Sequence, residues 1–299
     1  MRLDDSPTEN DLLSIDWDIA IILDAMRYDF FKELYNHFFE GKLKGVESKG
    51  SCTPEWFRKT FTSYYSDIIY ISANPYINSL PIRAYSYKAI EHFPEVIDVW
   101  LYGWDSLLGT VVPQEVNRIA KKIIDLEASA NKRIIVHYLQ PHAPYLTPEG
   151  YALGFPNPLP DKQMFLMGID AREGKIKQKL KRLLVIASGL LVRTGIPNGY
   201  IWRLVELLGM SPISPLDATR RKVGIEGLKR AYLYNTLIVL EAVAKLVKDL
   251  DMRVVITADH GEFLGENNMF SHPCNHGNPI LKHVPLFQLK RVKKADLGI

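Results

Sequence analysis

Three stretches rich in β-branched and other apolar residues each stop on a group that can do chemistry. Ile19 to Leu23 (IAIIL) runs into Asp24, Arg133 to Leu139 (RIIVHYL) into Gln140-Pro141-His142, and Arg253 to Thr257 (RVVIT) into Ala258-Asp259-His260-Gly261. A run of this length, apolar at consecutive positions, suits a strand covered on both faces, which is the habit of parallel sheets packed between helices. Ile68 to Ala73, Val96 to Leu101 and Val284 to Leu289 are weaker strand candidates. Helical patterns fall between them at Ala25 to Phe39, Pro54 to Tyr64, Pro113 to Ala128 and, most clearly, Gly227 to Leu250, where Leu228, Ala231, Leu237, Leu240 and Val243 form a stripe. The alternation predicts an α/β fold with an open, mostly parallel central sheet and helices on both faces. Ligands bind such sheets at the carboxyl ends of the strands. Asp24, His142, Asp259 and His260 all fall there.

The chain has 299 residues, 47% apolar and 24% charged, which excludes disordered and low-complexity classes. We expect a single domain over 1–299. Residues 150–225 break the strand and helix grammar with Pro-rich turns, a basic stretch and the run LLVIASGLLV, and are read as a helical insertion, either a cap over the site or a side layer. Basic residues followed by that run also allow peripheral membrane contact through 176–210. The run has ten residues, short of the roughly 20 that a membrane span needs. The N-terminus, MRLDDSPTENDLLSIDWD, is acidic and polar, unlike a secretory signal. A cytoplasmic location is therefore expected. The net charge of +3, from 37 basic and 34 acidic residues, implies no nucleic-acid partner. Two cysteines, Cys52 and Cys274, cannot form a disulfide framework, although one long-range bridge is open to them, and a reducing compartment is the default reading.

The sharpest constellation is ITADHGEFLGE, residues 256–266. A strand that empties into Asp-His-Gly offers a carboxylate and an imidazole on a tight turn, and Asp24 at the end of another strand would complete a divalent-metal site. This segment resembles the corresponding turn of sulfatase-like hydrolases in the alkaline phosphatase superfamily. IILDAMRYD (21–29) is similar to their first strand, whose terminal Asp binds metal; HYLQPHAPY (137–145) to their His-containing loop; YNTLIVLEAVAKLV (234–247) to the helix before the Asp-His strand; and HVPLF (283–287) to the last core strand. Residues 150–225 have no clear counterpart.

The resemblance implies a nucleophile beside the first metal ligand, at a helix N-terminus that receives an anion. Gly50-Ser51-Cys52-Thr53-Pro54-Glu55-Trp56 fits that place. Sulfatases use Cys-x-Pro-x-Arg with the Cys oxidised to formylglycine. Here Trp56 stands where the Arg belongs, and Arg58 lies on another helical face. The candidates are Thr53, unmodified, and Cys52, as thiol or formylglycine, with Ser51 behind them. Asp24, Asp259, His260 and His272 are the expected metal ligands. Because Ala25 follows Asp24 where calcium sulfatases often carry a second Asp, Mn or Zn suits the set as well as Ca. In the late loop SHPCNHGNP (271–279), a His-Pro pair similar to that of archaeal sulfatase-like sequences makes His272 the preferred candidate and His276 the second. His142, His272 and His276 would contact the substrate anion. Cys274 would come near Cys52. His137 and His283 are read as core or supporting residues, and Asp29 as a salt-bridge member.

The expected activity is metal-dependent hydrolysis of a phosphate, phosphonate or sulfate ester through a covalent intermediate on Thr53 or Cys52. The substrate would be a small-molecule or glycan-linked anionic ester. The alternatives are transfer of a phospho-group to an acceptor other than water, or a noncatalytic binding or scaffold role on the same fold.

Overall fold

The computed structural model of the protein describes residues 8–80, 89–127, 132–153, 175–193 and 196–293. The centre is a seven-stranded sheet: β1 (Ile19–Leu23), β2 (Phe39–Glu47), β3 (Ile68–Ser72), β4 (Glu95–Asp98), β5 (Arg133–Tyr138), β6 (Val254–Ala258) and β7 (His283–Val292). Their order across the sheet is β2-β7-β6-β1-β5-β3-β4. The β1, β3, β4, β5 and β6 pairings are parallel, and β7 is antiparallel to both β6 and β2. This is the expected mostly parallel α/β sheet.

Every residue of β1 is buried, and the strand period of two divides its side chains between two cores. Ile19, Ile21 and Leu23 face helices α1 (Tyr28–Phe38), α3 (Pro113–Glu127) and α6 (Pro215–Val247). Ala20 and Ile22 face α2 (Thr53–Thr60), whose Trp56 and Phe57 pack with Phe61, Tyr70 and Phe93. The aromatic cluster of residues 56–61 is thus core, while Tyr64 is exposed.

Several boundaries differ from expectation. The strand begun at Val96 stops at Asp98, and Val99–Tyr102 turns helical, with the Gly103 N–H bonding the Val99 carbonyl. The last long helix starts at Pro215, capped by the Ser214 side chain, and bends at Gly224, where φ is 71° and no side chain other than hydrogen sits easily. Strand β2 was absent from the sequence reading. Its period is broken by Gly41 and Gly45, which pack closely on β7: a Cβ at Gly41 would lie 2.2 Å from the Gln288 carbonyl oxygen, and one at Gly45 2.1 Å from His283 Nε2. Its lysines suit a sheet edge.

Of the 150–225 region, residues 154–174 lie outside the described residues. The rest forms α4 (Lys175–Arg193), α5 (Gly199–Leu207) and the start of α6. Val192 of α4 packs with Phe263, Met269 and Leu281, and Trp202 of α5 stacks on Phe270 at 5.0 Å. These helices therefore rest on the loops at the carboxyl ends of the strands. Among the described residues, no helix is long and apolar enough to cross a membrane.

The turn after β1 places Ala25 at φ 61° and is held by Tyr232 of α6. The Tyr232 hydroxyl accepts from the Arg27 N–H (3.0 Å) and donates to the Ala25 carbonyl (2.7 Å), all buried. Tyr232→Phe strands both backbone groups, and urea unfolding should show a loss of about 2 kcal/mol. A change within a few tenths would mean that the turn holds itself.

Candidate active site

The ladder between β1 and β6 pairs Leu23 with Ala258, so the next residue on each strand is a carboxylate. Asp24 and Asp259 thus emerge side by side at the carboxyl end of the sheet, 2% and 0% exposed. The Ala25 N–H donates to Asp259 Oδ1 (3.0 Å), and Asn74, just past β3, donates from Nδ2 to Asp24 Oδ2 (2.7 Å). Among the described residues, Asp24 Oδ1 is buried with no hydrogen-bond partner. Burial, then the charges of Asp259 and Glu262, push the Asp24 carboxyl well above the usual range, which the Asn74 bond only partly offsets.

Thr53 opens α2 at the same place. Its hydroxyl donates to Asp259 Oδ2 (2.7 Å), lies 3.2 Å from His260 Nε2, and accepts from Asn74 Nδ2 at 3.3 Å. The Gly261 carbonyl, 2.8 Å from His260 Nδ1, can only accept. His260 must carry its proton on Nδ1, leaving the Nε2 lone pair facing Thr53, Asp24 (3.5 Å) and Asp259 (3.3 Å). Burial, then nearby His272, lowers its pKa well below the ordinary histidine value and favours this neutral form.

These atoms fit a divalent cation. Two buried carboxylates, one with an orphaned oxygen, a neutral imidazole lone pair and a hydroxyl converge, and among the described residues neither carboxylate has a Lys or Arg partner. His137, expected as core, lies in β5 with Nε2 3.9 Å from Asp259 Oδ2 and Nδ1 2.8 Å from the Tyr70 hydroxyl. Burial takes its pKa down to about 4.

A second group adjoins the first. Ligand atoms of His142, Glu262 and His272 lie within 4.8 Å of one another. The His272 ring is 4.4 Å from that of His260 and 5.0 Å from that of His142. His272 Nδ1 is 3.1 and 3.2 Å from the two Glu262 oxygens. Burial works against charging His272, but the Glu262 carboxylate outweighs it and raises the pKa. His142 donates from Nδ1 to the Ala143 carbonyl, and burial, then His272, lowers its pKa. His272, expected with the aspartates, therefore sits with Glu262 and His142. Glu262 and Asn74 were not singled out from the sequence. Glu262 lies in the DHGE segment, two residues after His260, which is the local signal for it; Asn74 carries none.

The late loop is fastened to the start of α2. Cys52 and Cys274 form a disulfide across 222 residues, so neither is an incidental thiol. This removes Cys52 as a free nucleophile and as the precursor of formylglycine, and a reducing compartment does not account for the bond. Ser51 Oγ lies 2.9 Å from both Glu55 Oε2 and the Pro273 carbonyl and accepts from the His276 N–H, which ties it to the loop rather than to the aspartates. Glu55 Oε2 also accepts from the N–H groups of Ser51 (3.0 Å) and Asn275 (2.8 Å), while Oε1 accepts from Lys59 (2.6 Å). The His276 ring packs edge-on against Phe263 and is not part of either cluster. Trp56, in the position of the sulfatase Arg, is 2% exposed in the core, and Arg58 Nε bonds the Pro54 carbonyl of its own helix. Asp29 pairs with Arg27 at 2.7 Å, as expected, and His283 stacks on Tyr28.

No family model and no curated protein sequence matches the chain. Among solved structures it is similar to the soluble domain of lipooligosaccharide phosphoethanolamine transferase A from Neisseria meningitidis, at 14% identity over 98% of this chain and 81% of that one, with a TM-score of 0.48. The full integral membrane form of that transferase gives 13% identity over 97% of this chain and a TM-score of 0.49. This chain spans about half of it, 51%. A phosphonate monoester hydrolase from Silicibacter pomeroyi gives 14% identity over 94% and 68% of the two chains and a TM-score of 0.43. These organisms are bacteria, and the archaeal likeness expected of the His-Pro loop finds no support among them.

Two measurements follow from the clamp. Burial opposes a charged Glu55, but the Lys59 bond and the two N–H donors win and bring its pKa from 4.5 to about 2. A lowered carboxylate pKa adds stability that is complete above 4.5 and lost as pH falls towards about 2. Glu55→Gln should therefore flatten the acid-unfolding curve across that window, and an unchanged curve would refute the coupling. For the disulfide, intact mass under non-reducing conditions should be two hydrogen masses below the reduced chain, and Cys274→Ser should lose roughly 2–5 kcal/mol in denaturant unfolding.

Proposed function

We propose that the protein is a phosphoester-cleaving enzyme of the alkaline phosphatase superfamily, working through a phospho-intermediate on Thr53. The observation that carries this reading is the Thr53 hydroxyl at a helix N-terminus, bonded to Asp259 Oδ2 at 2.7 Å and facing the His260 lone pair. Engagement of Cys52 in a disulfide and burial of Trp56 weigh against sulfate chemistry, which would need formylglycine and an Arg in those places.

Asp24, Thr53, Asp259 and His260 would hold the divalent cation, and two carboxylates, an imidazole and a hydroxyl suit Zn or Mn better than Ca. When bound, such an ion polarises the phosphate oxygens and lowers the pKa of the attacking hydroxyl. The residues of the chain do the rest. Asn74 holds Asp24 and Thr53 in fixed relation. The positive end of α2 favours an anion beside Thr53. Thr53 Oγ1 gives its proton along the bond to Asp259 and forms a bond to phosphorus as the bond to the leaving alkoxide breaks. His272, whose protonated form Glu262 favours, supplies the proton that the alkoxide takes up, and with His142 balances the negative charge of the transferred group. Water or an alcohol then takes the phospho-group from Thr53, so the same residues serve hydrolysis and transfer. The Cys52–Cys274 bond favours an oxidising compartment over the cytoplasm.

Turnover should be assayed on aryl phosphomonoesters, phosphodiesters, phosphonates and sulfates with added Zn, Mn or Ca. Phosphorus esters are expected to be cleaved, with Thr53→Ala and Asp259→Ala each reducing kcat roughly 10³-fold or more. Thr53→Ser should retain partial activity, and mass spectrometry of quenched reactions should find phosphate on the peptide containing Thr53. Preferential cleavage of sulfate, or full activity in Thr53→Ala, would overturn the reading. Adding a simple alcohol then measures the partition between hydrolysis and transfer.

A further inference from the structure

Helices α4 and α5 already spend one face each on the protein. Lys181 is buried and donates to Ser211 Oγ (2.6 Å) and the Pro212 carbonyl (2.9 Å), with Ser188 and Val192 buried on the same side. Trp202 and Val205 do the same for α5. The outward faces should then be polar, as on an ordinary surface helix. They are not. On α4 the outward positions at helical spacing are Lys179, Arg182, Leu183 and Ile186, and on α5 they are Tyr200, Arg203, Leu204 and Leu207. Leu183 is 57% exposed, Ile186 61%, Tyr200 65% and Leu207 78%. The two helices pack against each other, so the stripes lie on neighbouring helices and are taken together as one surface.

We propose that this surface docks on an anionic lipid bilayer. The exposed leucines, isoleucine and tyrosine supply the side chains that enter the interface, and Lys179, Arg182 and Arg203 supply charge complementary to acidic headgroups. The acidic residue on the same face, Glu206, is neutralised by Arg220 at 2.7 Å. A second copy of the chain is the poorer occupant, because a symmetric contact would set these three basic residues against their own equivalents. Docking would set the bilayer one helix layer from the loops that hold His142, Glu262 and His272, since the inner faces, through Val192 and Trp202, pack on Phe263, Met269 and Phe270.

The test uses the purified full chain and two kinds of extruded vesicle, phosphatidylcholine alone and an equal mixture with phosphatidylglycerol. Sedimentation should show binding to the anionic vesicles roughly ten-fold or more tighter than to the neutral ones, weakening as salt is raised. The paired variants Leu183→Glu with Ile186→Glu, and Leu204→Glu with Leu207→Glu, should each lose at least roughly ten-fold in binding. Their circular dichroism and thermal melts should match the parent, because these side chains are exposed. Arg182→Glu with Arg203→Glu should remove the preference for anionic vesicles. Failure of the parent to bind, equal binding by parent and Glu variants, or a dimer in light scattering that the Glu variants dissociate would each overturn the proposal. None of these readouts involves turnover, so the result is independent of the catalytic reading.

Discussion

Two carboxylates share one buried end of the sheet because β1 and β6 are paired in register, Leu23 to Ala258, and both chains continue into Asp. Nothing in the sheet itself can tolerate this. Each charge loses hydration and meets the other, and the interaction is strongest where water is excluded. The surrounding residues share the load: the Ala25 N–H on Asp259, Asn74 on Asp24 and the Thr53 hydroxyl on Asp259. These are neutral donors. They orient the oxygens without cancelling the charge, and Asp24 Oδ1 is left over. The arrangement thereby suits a cation, and burial with the neighbouring carboxylates raises the Asp24 pKa for the same reason.

The adjoining histidine group solves the opposite problem. His260, His142 and His272 crowd together and cannot all be charged. One carboxylate, Glu262, favours charge on His272: its oxygens reach His272 Nδ1, while backbone carbonyls hold the Nδ1 protons of His260 and His142. The three imidazoles are thus biased in opposite directions within a few ångströms, each by a different partner. Such a division of protonation states is what acid-base chemistry at a shared site requires.

Much of this arrangement was legible from local pattern. Buried parallel strands announce themselves by unbroken apolar runs, and the residues that follow them stand at the ligand-binding end whatever else the chain does. Asp24, His142, Asp259 and His260 could be placed on that ground. Strand β2 could not, because an edge strand needs neither two apolar faces nor strict alternation, and its glycines are explained only by the His283 ring and the Gln288 carbonyl that pack against them. Asn74 and Glu262 escaped for a related reason. Their importance lies in contacts across 50 and 10 residues, with Asp24 and His272, and an amide or a carboxylate in a loop carries no local mark of its partner.

The contrast between Cys52 and Thr53 turns on one long-range bond that residue type alone does not reveal. Cys52 is the N-cap of α2 in extended conformation, φ −153° and ψ 158°, while Thr53 is the first helical residue. Consecutive residues at such a junction cannot direct their side chains the same way. The bond to Cys274 commits Cys52 to the late loop, and Thr53 is aimed at Asp259 by the same backbone. The network of Ser51, Glu55, Pro273, Asn275 and His276 strengthens that commitment from the loop side. His272 stands two residues before Cys274, so the disulfide beside the Thr53 hydroxyl also anchors the stretch of loop carrying His272. A single cross-link thus constrains the Thr53 hydroxyl and His272 together, and loosening it would disturb both.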